Sequence, residues 1–253
     1  MNPIGFYTLF RKEVLRFWKV WLQTVVAPVI TTLLFLLVFS QVLQGRLEPF
    51  PGVSYSAFLI PGLMMMAVIQ NAFANSSSSV IQSKVTGNIV FILLAPLSHF
   101  QFFLAFVAAA AVRGFLVGVT IFVVAVVFIH LHVHDVLTIF VFAVLGASVL
   151  GTLGLIAGMW AEKFDQLAGF QNFVIVPLSF LSGVFYSVNA LPPTFRALSY
   201  ANPFFYMVDG FRYGFFGHSD VNPMASLAIV TVFLLALGVL TIALLRSGYK
   251  LRD

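Results

Sequence analysis

Few side chains of this sequence could do chemistry inside a membrane, and Arg113 is the most distinctive of them. It lies in a long apolar stretch, where a charged side chain is costly and is usually retained for a function. It could hold an anionic group that moves along a pathway. It could equally be a buried or snorkelling cation with a structural role, so both interpretations stay open.

Two amides form a second candidate site. Asn71 and Asn75 are one helical turn apart in another apolar stretch, and four serines follow them. Polar groups inside a span face other helices or water rather than lipid, so these side chains could line a path or bond one span to the next. We add the aromatic residues Phe180 and Tyr186 to this candidate substrate path, because aromatic side chains suit both sugars and lipophilic drugs.

A third candidate is the run of His130, His132 and His134 beside Asp135. Alternate spacing would turn the three imidazoles to one side of an extended segment, which could hold a metal ion. A short turn at the membrane surface explains the run as well, so we expect no metal. The sequence has no cysteine and no P-loop motif, and the spacing of its residues supports no Ser-His-Asp arrangement.

The elements that position these residues follow from the composition. The chain has 253 residues, of which 61% are hydrophobic and only 8% are charged. A soluble domain carries about 25% charged residues, so a water-soluble enzyme is excluded. The thirteen Lys and Arg residues are dispersed and form no basic patch, which excludes a nucleic-acid partner. We predict an all-α integral membrane protein.

Continuous apolar runs predict five or six transmembrane helices, of which we adopt six, in a single domain, residues 1–253. Such runs are long enough to cross the hydrocarbon core, which takes roughly 20 helical residues, and they do not alternate as barrel strands do. The predicted spans are 21–43, 57–80, 100–130, 136–160, 167–186 and 224–245.

The positive charges predict the orientation. With an inner N-terminus and six spans, nine of the thirteen cations fall on the inner side, three outside and one, Arg113, in the membrane. Cytoplasmic segments carry an excess of Lys and Arg. Both termini are therefore expected in the cytoplasm.

Three further segments are neither ordinary spans nor loops. Residues 4–20 predict an amphipathic helix on the inner leaflet, with an apolar side formed by Tyr7, Phe10, Val14, Phe17, Trp18 and Trp21. Residues 83–98 predict a short apolar helix on the cytoplasmic side, which begins after Gly87 and ends before Pro96. Residues 187–221 contain proline and glycine breakers, and predict either re-entrant half-helices or amphipathic helices on the outer surface.

The positions of the acidic residues bear on whether the protein could couple to an ion gradient. The sequence places the acidic residues outside the interiors of the spans, whereas proton- or sodium-coupled carriers usually need an ionisable group there. A secondary carrier or channel is therefore a weaker alternative. A membrane-bound enzyme that acts on lipid is weaker still, and its best residues would be the three histidines.

Six short strings, together with the order of the elements, carry a resemblance to a known family. They are 58–63 (FLIPGL), 93–96 (LLAP), 177–186 (PLSFLSGVFY), 191–193 (LPP), 202–203 (NP) and 210–214 (GFRYG). In this order they resemble the permease subunit of ABC-2 type transporters over essentially the whole chain. The resemblance is strongest to the bacterial branch of YadH-like, nodulation-factor-export and drug-resistance permeases.

The resemblance implies an ATP-driven exporter of the bacterial inner membrane, built from two permeases and two separate ATPase subunits. ATP and Mg²⁺ would bind to the ATPase, and this chain would need no cofactor of its own. In the family, the connector after the second span is a coupling helix that docks on the ATPase. Carried over to this sequence, its residues are Gly87, Asn88, Phe91, Leu94 and Pro96.

One departure from the family matters. Ile89, Val90 and Phe91 stand where family members commonly have acidic or polar residues. Docking here would then depend on apolar packing rather than on ion pairs, or the helix would lie closer to the lipid. The cargo is not readable: a lipophilic, amphipathic or glycan-linked molecule fits the phenylalanine-rich spans equally well.

Overall fold

The computed structural model describes residues 3–43, 50, 52–129 and 131–250, and the regular structure in these residues is helical apart from one isolated bridge between Phe50 and Val53. The α-helices are α1 (Pro3–Trp18), α2 (Ala27–Leu43), α3 (Tyr55–Val85), α4 (Ile89–Leu94), α5 (His99–Phe128), α6 (Val136–Trp160), α7 (Phe164–Phe170), α8 (Val176–Phe180), α9 (Pro193–Ala201), α10 (Pro203–Phe216) and α11 (Pro223–Ser247). We call the end of the bundle that carries α4 the α4 end, and the opposite end the α9 end.

Within the described residues, five helices are long and apolar enough to cross a membrane. They match the first four predicted spans and the last. The structure therefore confirms an all-helical protein with several candidate spans. The five helices are Leu22–Phe39, Tyr55–Val85, His99–Phe128, Val136–Trp160 and Pro223–Ser247.

The predicted fifth span, 167–186, forms a shorter and interrupted helix. It consists of α7, the π-helical turn Gln171–Ile175 and α8, and it ends at Phe180. These segments together have about 17 residues and a length of ~25 Å, at the lower limit for a span. After Phe180 the chain turns, and Gly183 has a φ of +76° that favours glycine. The fifth span, and with it the count of six, therefore stays a prediction.

Helix α3 lies at the centre of the bundle. In its most apolar stretch 89% of the residues are buried, compared with 17% in α11. Neighbouring helices approach it closely through glycines: a Cβ on Gly114 would lie 2.9 Å from the carbonyl oxygen of Val68, and one on Gly158 would lie 3.0 Å from that of Ser77. The side chains of α3 therefore face other helices rather than lipid.

Helix α1 lies against α5. Of the predicted apolar side, Phe17 is buried together with Leu9 and Glu13, whereas Tyr7 and Trp18 are exposed. The position of this helix on the inner leaflet stays a prediction. The protein-facing side of α1 includes a carboxylate, and the exposed aromatic residues are free to meet lipid.

The segment 187–221 contains a 3₁₀ turn, Val188–Ala190, followed by α9 and α10. Almost all of α10 is buried against α3, α6 and α11. This corrects the assignment of Asp209 and Arg212 to an outer loop, because both side chains are fully buried. Arg113 is therefore not the only ionisable residue inside the bundle.

Candidate functional site

Helix α4 displays an apolar surface at its end of the bundle. The chain turns at Gly87, whose φ is +73°, and extended backbone at Ala95 before Pro96 ends the helix. Phe91 and Leu94, three residues apart on one side, are 74% and 76% exposed. We call Phe91, Leu94 and Pro96 the α4 surface.

The opposite side of α4 is fixed to the bundle through Ile89, which is buried. Ile89 belongs to a small apolar core at the α4 end, to which five other helices contribute. Its buried members from those helices are Leu9 of α1, Val80 of α3, Phe102, Ala105, Phe106 and Val107 of α5, Leu155 and Met159 of α6, and Leu245 of α11. Ile89 therefore connects α4 to every long helix that contributes to this core.

Hydrogen bonds fix both ends of the connector. Lys84, at the end of α3, donates through Nζ to the carbonyl oxygens of Met159 and Ala161, each at 2.7 Å. On the other side of α4, Ser98 and Gln101 form a capping box at the start of α5. Asn88 makes a local bond, its Nδ2 donating to Thr86 Oγ1 at 3.1 Å. The α4 surface is thus held in a defined place.

An ion-pair network joins α1 to α3. Glu13 is fully buried and pairs with Lys12 at 2.9 Å and Arg16 at 3.2 Å. Arg16 also donates to Asn75, to its carbonyl oxygen at 2.6 Å and to Oδ1 at 3.1 Å, and to Ser78 Oγ at 3.1 Å. Of the two interpretations of Asn75, a bond between helices fits this geometry.

Arg113 and Asn71 come together, as two of the predicted path residues. Arg113 Nη2 donates to Asn71 Oδ1 at 3.1 Å, and the charge of Arg16 lies close enough to act on Arg113. Among the described residues, no acceptor lies within hydrogen-bond distance of three buried nitrogens of this region. These atoms are Arg113 Nε, Gln70 Nε2 and Asn75 Nδ2.

A groove of about 300 Å³ lies between α2 and α3. Gln70 and Asn71 line its α3 side, and several polar and apolar residues of the first span line the other. The lining from the first span consists of Gln23, Ala27, Pro28, Thr31, Thr32 and Phe35. The groove therefore offers amides and hydroxyls on an otherwise apolar surface.

Aromatic side chains continue from this groove towards the α9 end. Phe35 lines the groove and lies 5.8 Å, between ring centroids, from Phe185. Phe185 stacks on Phe180 at 5.5 Å and also contacts Phe39 at 4.9 Å. Phe180 is therefore in the aromatic group beyond the groove, whereas the Tyr186 hydroxyl donates to the Phe180 carbonyl oxygen at 3.3 Å.

The histidine run forms no cluster of ligands in the described part of the chain. His130 lies outside the described residues, and His132 and His134 are exposed. The ring of His134 packs against Tyr213, with 5.8 Å between the centroids. No group of three or more His, Cys, Asp or Glu residues that could hold a metal occurs among the described residues.

Sequence reasoning missed Glu13, Gln70 and Arg212 as residues of interest. The spacing of Leu9, Glu13 and Phe17, at four-residue intervals, could have shown that Glu13 shares a side with two apolar residues. Arg212 follows Asp209 by one helical turn within a run of aromatic residues, which is a signal for a buried charge pair. Gln70 carries no signal beyond its place beside Asn71.

The comparisons with known proteins agree with this architecture. The profile of the ABC-2 type transporter family matches residues 5–216. The inner membrane transport permease YadH of Escherichia coli strain K12 is 36% identical over 250 residues, which cover 99% of this chain and 98% of the relative. Nodulation protein J of Rhizobium leguminosarum bv. viciae is 25% identical over 210 residues, 81% of this chain and 78% of the relative. The chain belongs to the ABC-2 type transporter family and is a multi-pass membrane transport permease.

Proposed function

We propose that this chain is the permease subunit of an ATP-driven exporter in the bacterial inner membrane. Two copies would assemble with two copies of a separate ABC ATPase, with both termini in the cytoplasm. The family and the relatives support a transport permease. The single observation that carries the ATP-driven role is the exposed apolar α4 surface, at the end of the bundle where most cations lie.

The α4 surface suits a protein partner better than water. Phe91 and Leu94 project from a helix of only six residues, and an exposed apolar helix face of this kind fits a groove on another protein. A buried aromatic residue is a frequent source of binding energy in such contacts. The ATPase would therefore dock on α4 mainly through apolar packing.

The core around Ile89 provides the mechanical link. When the ATPase pair closes on ATP, it would displace α4, and Ile89 would carry that displacement to α1, α3 and α5. Lys84 would pass it to the end of α6 through its two carbonyl bonds. The bundle would then shift between an inward-open and an outward-open state. The size of this population shift depends on how differently the ATPase binds the two states.

The groove between α2 and α3 would be the substrate path. Its amides and hydroxyls lead to the aromatic group of Phe35, Phe180 and Phe185, so a molecule with polar and apolar parts could move along it towards the α9 end. This favours a lipophilic, amphipathic or glycan-linked substrate. The second permease copy and lipid would cover the exposed sides of α2 and α8.

The test uses the permease reconstituted with its ATPase and the variant Phe91→Asp. A buried carboxylate should weaken ATPase docking by about 2 kcal/mol, or roughly thirtyfold, and abolish substrate-stimulated ATP hydrolysis. The matched control is Phe164→Asp, which changes another exposed phenylalanine at the α4 end, 49% exposed. Normal docking and normal stimulated hydrolysis in Phe91→Asp would contradict the proposal.

Two alternatives give different results. A secondary carrier or channel would purify without an ATPase. Because Glu13 and Asp209 are buried, the sequence argument against a carrier is weaker. Co-purification with an ATPase therefore decides between the two functions. A lipid-modifying enzyme would lose its activity when His130, His132 and His134 are replaced together, whereas an exporter would retain transport.

A further inference from the structure

We infer that the groove between α2 and α3 binds the anionic group of an amphipathic molecule, with Arg113, Gln70 and Asn71 as its recognition residues. The class of ligand is a phosphate, carboxylate or sulfate attached to an apolar body. The inference rests on the proposed transport function for its biological meaning. Its test needs neither ATP nor the ATPase.

The first argument is charge. Arg113 forms no salt bridge with any of the described acidic residues. Glu13, which lies on the same network, is already paired with Lys12 and Arg16. Arg16 adds a second positive charge that acts on Arg113. The region therefore has an excess of positive charge away from water, and an anionic ligand compensates such an excess.

The second argument is hydrogen bonding. In the described part of the chain, Gln70 Nε2, Asn75 Nδ2 and Arg113 Nε are buried nitrogens without a hydrogen-bond acceptor. Buried polar groups in proteins are almost always bonded, so a concentration of unmatched donors calls for an explanation. All three atoms are hydrogen-bond donors that lack an acceptor. An anionic oxygen is an acceptor only, which is the missing partner.

The third argument is that the groove reaches one of these donors, on Gln70, and the amide that holds Arg113, on Asn71. Gln70 and Asn71 are on its wall, and Asn71 accepts the hydrogen bond from Arg113 Nη2 at 3.1 Å. Arg113 thus lies behind the wall, close enough to act on a ligand through its charge. The remaining lining is mostly apolar, so one part of an amphipathic ligand would meet the amides and the rest would meet side chains such as Leu63 and Met66.

The fourth argument is depth, and it separates a transported molecule from a resident lipid. Asn71 is 14 residues from the end of α3 at Val85, and Arg113 is 14 residues from the start of α5 at His99. At about 1.5 Å per residue each lies ~21 Å along its helix, near the middle of a membrane core roughly 30 Å thick. Phosphates of resident lipids lie at the surface of the membrane. A molecule that crosses is the better occupant.

The experiment measures ligand binding to the purified full-length permease in nanodiscs of neutral lipid. Decyl phosphate supplies the anion and the tail, decyl maltoside supplies the tail alone, and inorganic phosphate supplies the anion alone. We expect decyl phosphate to bind roughly tenfold or more tightly than either of the other probes. Equal affinity for the two decyl compounds would overturn the inference.

Variants test the residues. Arg113→Gln should remove the preference for decyl phosphate and leave the weak binding of decyl maltoside unchanged, whereas Arg113→Lys should restore part of the preference. Gln70→Leu should reduce it. Lys163→Gln is the control, because it removes an exposed cation outside the groove. A preference that survives in Arg113→Gln would overturn the inference, and a merely structural role would not predict rescue by lysine.

The source of the anion is tested with nanodiscs that contain phosphatidylglycerol. If this lipid abolishes binding of decyl phosphate at low concentration, the site belongs to a resident lipid and the assignment to a transported molecule fails. If binding persists, the assignment stands. Either result is independent of the Phe91→Asp test, so the coupling proposal and the binding proposal can fail separately.

Discussion

Two arginines inside the bundle have very different surroundings: Arg212 is fully buried, whereas Arg113 is partly exposed. Arg212 donates through Nη2 to the carbonyl oxygens of Gly183 at 2.8 Å and Val184 at 3.3 Å. Its guanidinium carbon also lies 3.8 Å from the centre of the Phe58 ring. Arg113 has one amide oxygen as its partner. The first arginine is enclosed by protein, whereas the second lies beside a groove.

The charges around the two arginines differ in sign. The carboxylates of Asp209 and Asp220 attract Arg212, and Asp209 is itself held by the backbone N–H groups of Asp220 and Val221, at 2.8 and 3.1 Å. The neighbouring charge at Arg113 is the repulsive one of Arg16. Arg212 thus has its counter-charges inside the chain, which is what a structural cation needs.

The contrast teaches that a position inside the bundle does not by itself distinguish a structural charge from a binding charge. Arg212 ties α10 to the turn after α8, so removing it would leave the buried carboxylate Asp209 without its cation. Arg113 ties α5 to α3 through a single bond, so its removal would leave no buried charge behind. Both arginines have buried nitrogens without a partner among the described residues, so the sign of the neighbouring charges is the informative quantity.

The largest expected effect is therefore on stability, with Arg212→Met. Because it leaves a buried carboxylate uncompensated, we expect a loss of about 3–5 kcal/mol in the free energy of unfolding. Thermal unfolding in nanodiscs would measure it as a lower melting temperature. The matched variant Arg113→Met should change stability by less than about 1 kcal/mol, because it removes a costly cation and one hydrogen bond.

The comparison would break if both variants lost the same stability, or if Arg113→Met lost more. In that case Arg113 would be a structural cation like Arg212. A stable Arg113→Met protein with an unstable Arg212→Met protein would support the division into a structural region and a binding region.

A second prediction concerns the close packing around Arg212. A Cβ on Gly62 would lie 2.7 Å from the carbonyl oxygen of Val184 and 2.9 Å from Arg212 Nη2, both too close. Gly62→Ala should therefore cost about 1–3 kcal/mol through overpacking, measured by thermal unfolding. In Gly169→Ala, the control, the added methyl group meets nothing within 4 Å. Because alanine favours helix, this control should be neutral or stabilising by up to about 1 kcal/mol.

The outcome of this pair sharpens the comparison. If Gly62→Ala is as stable as Gly169→Ala, the turn after α8 can move away from α10, and Arg212 is held less firmly than its contacts indicate. A clear loss in Gly62→Ala alone would show that the Arg212 region is rigid, as expected for a cation that is enclosed by protein.

Sequence patterns predicted the elements whose signals are local. The fourth span, predicted at 136–160, is the helix Val136–Trp160, because Asp135 caps its start and a continuous apolar run ends at Ala161. The short helix α4 lies between Gly87 and Pro96 for a similar reason: the first residue favours a turn and the second disfavours helix before it. Capping residues, helix breakers and hydropathy act within a few residues, so one sequence is enough to predict these elements.

The rest depends on contacts between distant segments. Glu13 and Asn75 are 62 positions apart in the sequence, and only the approach of α1 to α3 places Arg16 between them. Likewise, Arg212 resembles a loop charge until α10 packs into the bundle. The interruption of the predicted fifth span by a π-helical turn also has no local signal in composition. Hydropathy reports how apolar a segment is, but not what it packs against.

The smallest effect is expected for a charge pair in a third setting, exposed at the α4 end. Lys250 Nζ lies 2.6 Å from Glu162 Oε1, and the hydrogen bond from Lys250 lowers the pKa of Glu162 below its usual value of 4.5. A lowered pKa stabilises the fold above the unfolded pKa, and the contribution disappears as the pH falls through the folded value. Lys250→Gln should thus lower the melting temperature at pH 7 less than Gly62→Ala does, since water and salt screen an exposed pair. Melting curves from pH 7 downwards should show the variant and the parent protein converge only below pH 4.5. A difference that does not shrink on acidification would mean that the variant acts through something other than the charge of Glu162.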